Sequence, residues 1–294
     1  MGKRCRRLAI VVTAMAVAVV ANSAPAMADV NALTDDKSVT APTGWWLYTN
    51  ASPSYVGDRL GENGARLTDI EIHSVTASGP RFTAVMVPNS GAYAVPGWWW
   101  YYGLTYQGVV NKINEHSGRL IDIEPYWDSG VLRYAIVLVS NTGGAARAWW
   151  WFAGTSFSAL QDFLGTSDPP KRLVHFKNYW DGSAYRYVAI VIANTGSDAK
   201  SWWWSANGSL SGQECGTAQR MFHVGARETV KYDVIRVANT LPLGQSWCYY
   251  QGLTSIQQIF DIAGYQKMRP IDIETYTMTY TNERRYDVVL ISNK

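Results

Sequence analysis

The sequence predicts a mainly β fold with short helices. It reads as an α+β repeat closed into a five-unit propeller-like ring, each unit about three antiparallel strands plus a helix. Three recurrences predict it. A Trp-led triplet returns as Trp45-Trp46-Leu47, Trp98-Trp99-Trp100, Trp149-Trp150-Trp151, Trp202-Trp203-Trp204 and Trp247-Cys248-Tyr249. An Arg opening an apolar strand returns at Arg66, Arg119, Arg172, Arg220 and Arg269, spaced by 53, 53, 48 and 49 residues. An Asn closing the next strand returns at Asn89, Asn141, Asn194, Asn239 and Asn293. Self-similarity at such a period marks a repeat architecture. An open array of the same units is the alternative.

The first 28 residues read as a secretory signal peptide. Lys3, Arg4, Arg6 and Arg7 form a basic stretch, Leu8 to Val20 is apolar but too short to span a bilayer, and Ala26-Met27-Ala28 is a small-x-small cleavage site. Arg6-Arg7 hints at twin-arginine export without a fuller motif. The signal carries four of the 26 Lys and Arg and none of the 23 Asp and Glu, so the remainder has 22 basic against 23 acidic residues. That balance argues against nucleic acid and anionic membranes as partners. Residues 29–43 are polar and Pro-bearing, a flexible leader.

The ring domain is expected over 44–294. In its clearest unit, Arg119 to Trp127 alternates as a half-buried strand. Asp128-Ser129-Gly130 turns the chain, and Leu132 to Val139 is a β-branched run covered on both faces. Asn141-Thr-Gly-Gly turns it again before the strand from Trp149 to Phe152. A helix follows in most copies. Thr105 and Thr254 take cap positions before 106–115 and 255–263, and Ser52-Pro53 has the cap-then-Pro arrangement. The copy at 207–217 is Gly-interrupted and predicts only a weak helix. The Trp strand and helix at 44–65 have no hairpin before them, and the hairpin at 269–294 has no Trp strand after it. The two fragments together would make one unit, with the last hairpin pairing with the first Trp strand to remove exposed strand edges.

Cys215 and Cys248 survive signal removal and are expected to form a disulfide in an oxidising compartment. Their spacing to each other and to His suggests no metal, and no cofactor is expected. The leading Trp45, Trp98, Trp149, Trp202 and Trp247, and the five Arg, read as structural. The middle Trp46, Trp99, Trp150 and Trp203 face away from their neighbours on a strand. They either pack under the helices or stand out as stacking platforms for sugar or peptide. An Asp-x-Glu on the first hairpin strand, Asp122/Glu124 with its copies Asp69/Glu71 and Asp272/Glu274, becomes His175/Lys177 and His223/Gly225 elsewhere. Such a pair can hold calcium or act as acid and base, but a solvated or rim-lining face is the commoner use. Asp122, Glu124, His175 and Lys177 are therefore candidate binding residues, with no catalytic residue assigned. Ser197-Asp-Ala-Lys200 matches SxxK, but in a turn and not at a helix start. No GxSxG, HExxH or P-loop occurs.

The phrases RLIDIEPYWDSGVLRYAIVLVSNTGGAARAWWWFAG and RLVHFKNYWDGSAYRYVAIVIANTGSDAKSWWWSANG resemble the tandem repeat in the N-terminal domain of polyglycine hydrolases and related secreted bacterial and fungal proteins. The resemblance runs over essentially all of 44–294. In that family the repeats precede a β-lactamase-like serine hydrolase domain that cuts glycine-rich linkers in secreted plant chitinases, and nothing in 44–294 corresponds to that domain. What the resemblance implies is a secreted repeat domain used for recognition or support. The expectation for this chain is a secreted, monomeric, non-enzymatic recognition module for a protein, a glycine-rich peptide or a cell-wall polysaccharide. The competing expectations are a stand-alone secreted hydrolase and an accessory subunit of a separate one.

Overall fold

The structure is a computed structural model and describes residues 17–19, 39, 41–166, 168–196, 199–210, 212–228, 231–239 and 244–294. Most of the expected signal peptide and leader, and Ser197 of the SxxK match, lie outside the described residues. Among the described residues the chain is mainly β, in small antiparallel sheets with four short helices. No helix among the described residues is long and apolar enough to cross a membrane.

A short strand, β1 (Val17–Val19), precedes the repeat. The first unit is β2 (Trp46–Ala51), α1 (Pro53–Asn63), β3 (Ala65–Thr76) and β4 (Gly79–Pro88). The second is β5 (Trp98–Leu104), α2 (Tyr106–His116), β6 (Gly118–Asp128) and β7 (Val131–Ser140). The third is β8 (Trp149–Thr155), α3 (Phe157–Gly165), β9 (Lys171–Trp180) and β10 (Tyr185–Ala193). The fourth is β11 (Trp202–Gly208), β12 (Gln213–Gly216), β13 (Gln219–Glu228) and β14 (Lys231–Ala238). The fifth is β15 (Trp247–Leu253), α4 (Ile256–Gln266), β16 (Met268–Thr277) and β17 (Arg284–Ser292). In each sheet the second hairpin strand is central, with the Trp strand on one side and the first hairpin strand on the other. β1 adds to the outer edge of β8, and β12 adds to the outer edge of β15.

Each unit is thus one contiguous stretch, and the division expected from the sequence is corrected. β2 pairs with β4, and the last hairpin pairs with β15, not with the first Trp strand. The two ends of the repeat region meet in another way. Asn293 accepts a hydrogen bond from Thr43 N at 2.8 Å and donates to Thr43 O at 2.8 Å. The other four Asn make the same two-bond clamp inside the chain, onto Val95, Arg147, Lys200 and Gln245, each six residues on. The repeated Asn is therefore the device that ties one unit to the Trp strand of the next.

Among the described residues, five hydrophobic clusters lie between neighbouring units. Tyr126 and Val137 of the second unit join Phe82 and Ile70 of the first, and the pattern repeats to the fifth unit. There Leu47 and Val85 of the first unit pack with Ile273, Val288 and Leu290. Each leading Trp packs against the cluster of the unit before it, and Trp45 stacks on Phe260 of the fifth at 5.3 Å. Trp149 and Trp247 are fully buried, each removing apolar surface worth about 4–6 kcal/mol as an upper bound.

Every Trp strand also bulges five residues after its leading Trp, at Asn50, Gly103, Gly154, Asn207 and Gly252, all with φ between 51° and 80°. Asn and Gly are the residues that take this left-handed conformation cheaply. The helices start where the local chemistry says they should. Ser52, Thr105, Ser156 and Ser255 each accept a backbone N–H of the first turn, and Pro53 follows its cap. The cap of α4 is Ser255, in a capping box with Gln258, and not Thr254. The weak helix expected at 207–217 is absent; that segment instead forms β12, held to β15 by the Cys215–Cys248 disulfide.

Candidate functional site

The first hairpin strands β3, β6, β9, β13 and β16 are the innermost of their sheets. β3 packs on β6, β6 on β9, β9 on β13, β13 on β16, and β16 on β3. The alternation expected for Arg119 to Trp127 is interrupted by a bulge between Leu120 and Asp122, and copies of that bulge recur in β3 and β16. The strand is covered on both faces over most of its length, not half-buried. Asp122 and Glu124 accordingly do not form a solvated rim: they are 2% and 0% exposed.

The residue at the Asp position of each inner strand reaches the backbone of the preceding one. Asp122 Oδ2 accepts from Ile70 N (2.7 Å), Asp69 Oδ2 from Ile273 N (2.9 Å) and Asp272 Oδ2 from Val224 N (2.7 Å). Where the sequence has His, the direction reverses. His175 Nε2 donates to Ile123 O (3.0 Å) and His223 Nε2 to Phe176 O (2.8 Å), since a carbonyl only accepts. In all five cases the partner is the residue after the neighbour's own Asp or His. The departures from Asp-x-Glu are thus alternative solutions to one clasp.

Two residues on, Glu71, Glu124 and Glu274 converge on Lys177. Its ammonium lies 2.7 Å from Glu124 and 3.2 Å from Glu274, and it also pairs with Glu71. The fourth unit contributes Gly225 here, where no side chain competes for the space. Three carboxyls around one ammonium in a buried site cannot all ionise cheaply. Burial pushes Glu71 and Glu124 well above the ordinary carboxylate range, and Glu274 up to about 7. Lys177 is held well above the usual lysine value, because its carboxylate neighbours outweigh the desolvation that would lower it.

Asp122, Glu124 and His175 approach within the reach of one metal ion. Their atoms are already engaged: Asp122 Oδ2 by Ile70 N, His175 Nε2 by Ile123 O, and Glu124 by the Lys177 ammonium. The structure therefore unites all four of the polar candidate residues, and does so in a sealed, internally paired cluster.

The aromatic candidates do not join it. Trp46 packs against the core beside α1. Trp99 lies flat on the His116 ring at the end of α2 (4.1 Å, 12°). Trp150 meets Phe163 of α3 edge-on, with the Lys171 ammonium 5.5 Å above its ring. Trp203 alone of the four is substantially exposed, at 45%, in the unit that has no helix among its described residues. The five Arg are buried; Arg66 Nε donates to Tyr93 O, and Arg172 and Arg269 lie over the rings of Phe222 and Tyr93.

Sequence reasoning missed a second pair of indoles. Trp127 is the last residue but one of β6 and Trp180 the last of β9, three residues beyond Glu124 and Lys177, and they are 43% and 51% exposed. Trp127 Nε1 donates to Trp180 O at 3.2 Å, and Tyr185 braces the Trp180 ring edge-on at 5.3 Å. The signal was present as a Tyr-Trp-Asp repeated at 126–128 and 179–181. No protein-family model and no curated protein matches the chain.

Proposed function

We propose that the chain is a closed five-unit propeller-like ring serving as a secreted, non-enzymatic recognition module, and that its ligand is a polysaccharide laid across Trp127 and Trp180. The closed reading is supported by the return of the inner-strand contacts from β16 to β3 and by the Asn293–Thr43 clamp. An extracellular setting is compatible with the Cys215–Cys248 disulfide. The resemblance to the repeats of polyglycine hydrolases supports a recognition role in the same sense.

One observation carries the ligand assignment. Two large indoles stand half-exposed on adjacent hairpin tips, and a hydrogen bond between their strands fixes their spacing. Rigid exposed indoles offer flat apolar faces to the C–H faces of sugar rings, and the carboxylates of Asp128 and Asp181 follow them in sequence. A glycine-rich peptide has no side chain to stack there. The acid–base groups at the ring axis are buried and paired with one another, which supports a structural use for them.

The test is depletion of the protein from solution by insoluble β-glucan and chitin, alongside an immobilised glycine-rich peptide. Wild type should be retained on a glycan. The Trp127→Ala/Trp180→Ala variant should bind at least tenfold more weakly, from about 1 kcal/mol per lost stack. Retention by the peptide alone would reassign the ligand, and cleavage of that peptide would refute the non-enzymatic reading.

A further inference from the structure

We infer that the seam between the first and fifth units carries an anion subsite, in which the Arg284 guanidinium and the His73 imidazole hold the carboxylate or sulfate group of an acidic sugar. Resting on the polysaccharide reading, this names the charge that such a ligand carries. The floor of the subsite is a run of hydroxyls that crosses the seam. Thr49 Oγ1 lies 3.0 Å from His73 Nδ1, 3.1 Å from Thr83 Oγ1 and 3.2 Å from the Tyr286 hydroxyl, and Thr275 Oγ1 lies 3.2 Å from Thr83 Oγ1. Thr83, Thr275 and Tyr286 are buried, whereas Thr49, His73 and Arg284 are half-buried. Arg284 and Tyr286 are two residues apart on β17, so their side chains leave the same face of that strand. The guanidinium is near enough to His73 to disfavour protonation of the ring. At two other seams the corresponding place is closed by a pair of phenols, Tyr134 with Tyr179 and Tyr232 with Tyr276. Here Tyr286 meets an imidazole instead, with 6.4 Å between ring centres.

What the cluster lacks is an acid. Glu283, the neighbour of Arg284 in sequence, pairs with Arg285. Among the described residues no hydrogen bond or ion pair engages the Arg284 guanidinium or His73 Nε2. A partly desolvated cation without a counter-charge is costly, and an anion docked beside it offsets that cost. Burial, and then Arg284, push His73 down to about 4, so its ring is neutral. Donation from the Thr49 or Thr83 hydroxyl onto Nδ1 places the ring hydrogen on Nε2, which then offers a donor. The guanidinium fork matches the paired oxygens of a carboxylate or sulfate. The position in the fold fits the same ligand. The inner strands meet in one register, so the hairpin ends of the units face one way. Arg284 opens β17 at the end where Trp127 and Trp180 stand on β6 and β9. His73 occupies the strand position of Tyr126, the residue before Trp127, since each lies two residues beyond its Glu. Indoles and subsite therefore share one face.

The test compares calorimetric binding of three oligosaccharides of equal length to the whole chain: a neutral glucan, one bearing uronates and one bearing sulfate esters. Wild type should bind an acidic oligomer about fivefold more tightly than the neutral one, the upper range for a partly screened ion pair, and the better of the two acidic arms identifies the anion. Arg284→Gln should erase that preference and leave binding of the neutral glucan unchanged. His73→Tyr, which restores the phenol pair of the other seams, should erase it as well. Trp127→Ala/Trp180→Ala should instead weaken all three oligomers, which separates the stacking platform from the subsite. Equal affinity of wild type for the three would overturn the inference, and so would a preference that survives Arg284→Gln. Should no oligosaccharide bind, the polysaccharide reading fails, and the subsite is decided by NMR titration of wild type with glucuronate and with inorganic sulfate. Movement of the Arg284 Nε–H and His73 ring signals upholds it, and signals that stay in place overturn it, whether or not a variant folds.

Discussion

The second and fourth units carry the same three strands and cover them differently. In the second, α2 lies over the Trp strand, and Trp99 is sandwiched against His116. In the fourth, the segment that would be that helix leaves its own unit, forms β12 and pairs with β15 of the fifth, so Trp203 stands exposed. The inner hairpin is alike in both. The difference teaches that the hairpins and their interunit clusters set the architecture, while the outer cover is interchangeable. A capped helix will serve, and so will a stapled edge strand.

The largest test of that comparison removes the staple. Cys215 and Cys248 sit directly opposite each other on β12 and β15, 33 residues apart in sequence. Replacing both with Ser should cost about 3–4 kcal/mol in urea unfolding by loop-closure entropy, and should release β12 to hydrogen exchange before the rest of the fifth unit. If β12 exchanges no faster in the variant, the strand is held by its own pairing and the covers are not equivalent.

The two middle Trp residues should then separate clearly. Trp99→Ala removes an indole stacked on a helix terminus, and should cost about 3 kcal/mol. Trp203→Ala removes one facing solvent, and should cost roughly 0.5 kcal/mol or less. Equal losses would mean that Trp203 is covered in solution by something β11 does not show.

Where the inner strands meet, the second unit presents Glu124 and the fourth presents Gly225, which leaves three carboxyls to one ammonium. Glu274, raised by burial to about 7, and Asp287, raised to about 6 chiefly by burial, both have folded values above their unfolded ones. Their contribution to stability is therefore complete at low pH and lost as pH rises, through about 4 to 6 for Asp287 and about 4.5 to 7 for Glu274. The protein should be more stable at pH 5 than at pH 7.5, by on the order of 3 kcal/mol, read from urea midpoints. Stability that rises over that interval would contradict the buried, crowded state of these carboxyls.

Much of this was legible in the sequence, and the failures have physical causes. The Trp, Arg and Asn register marks the units because each copy meets the same packing problem. The unit boundary was misplaced because only about seven residues separate Asn141 from Trp149, whereas a whole helix separates Trp149 from the hairpin it pairs with. Proximity along the chain suggested pairing with the preceding hairpin. In fact that short connection is closed by a side-chain clamp, not by a ladder. The Asp-x-Glu copies marked residues that cluster in space, but with the wrong exposure, since a strand's own alternation cannot reveal that five such strands converge. Trp127 and Trp180 were read as ordinary strand ends, because nothing local says that two hairpin tips 53 residues apart will touch.

The smallest effect, and the most specific, concerns the clamps. Asn194 and Asn293 each make two hydrogen bonds to one backbone residue, so Asn→Ala at either should cost about 1–2 kcal/mol. The partners differ in how else they are held. Lys200 is six residues from Asn194, and the covalent chain keeps it near when the side chain is gone. Thr43 is 250 residues from Asn293, and without the clamp it is held only by what anchors the first Trp strand, chiefly Trp45 on Phe260 and Leu47 in the shared cluster. At that similar cost in global stability, Asn293→Ala should therefore speed hydrogen exchange in both β2 and β17, whereas Asn194→Ala should speed it only in its own loop. Local exchange in both variants would mean that the inner strands and the apolar cluster alone hold the first and fifth units together, and that the fifth Asn repeats the clamp without serving closure.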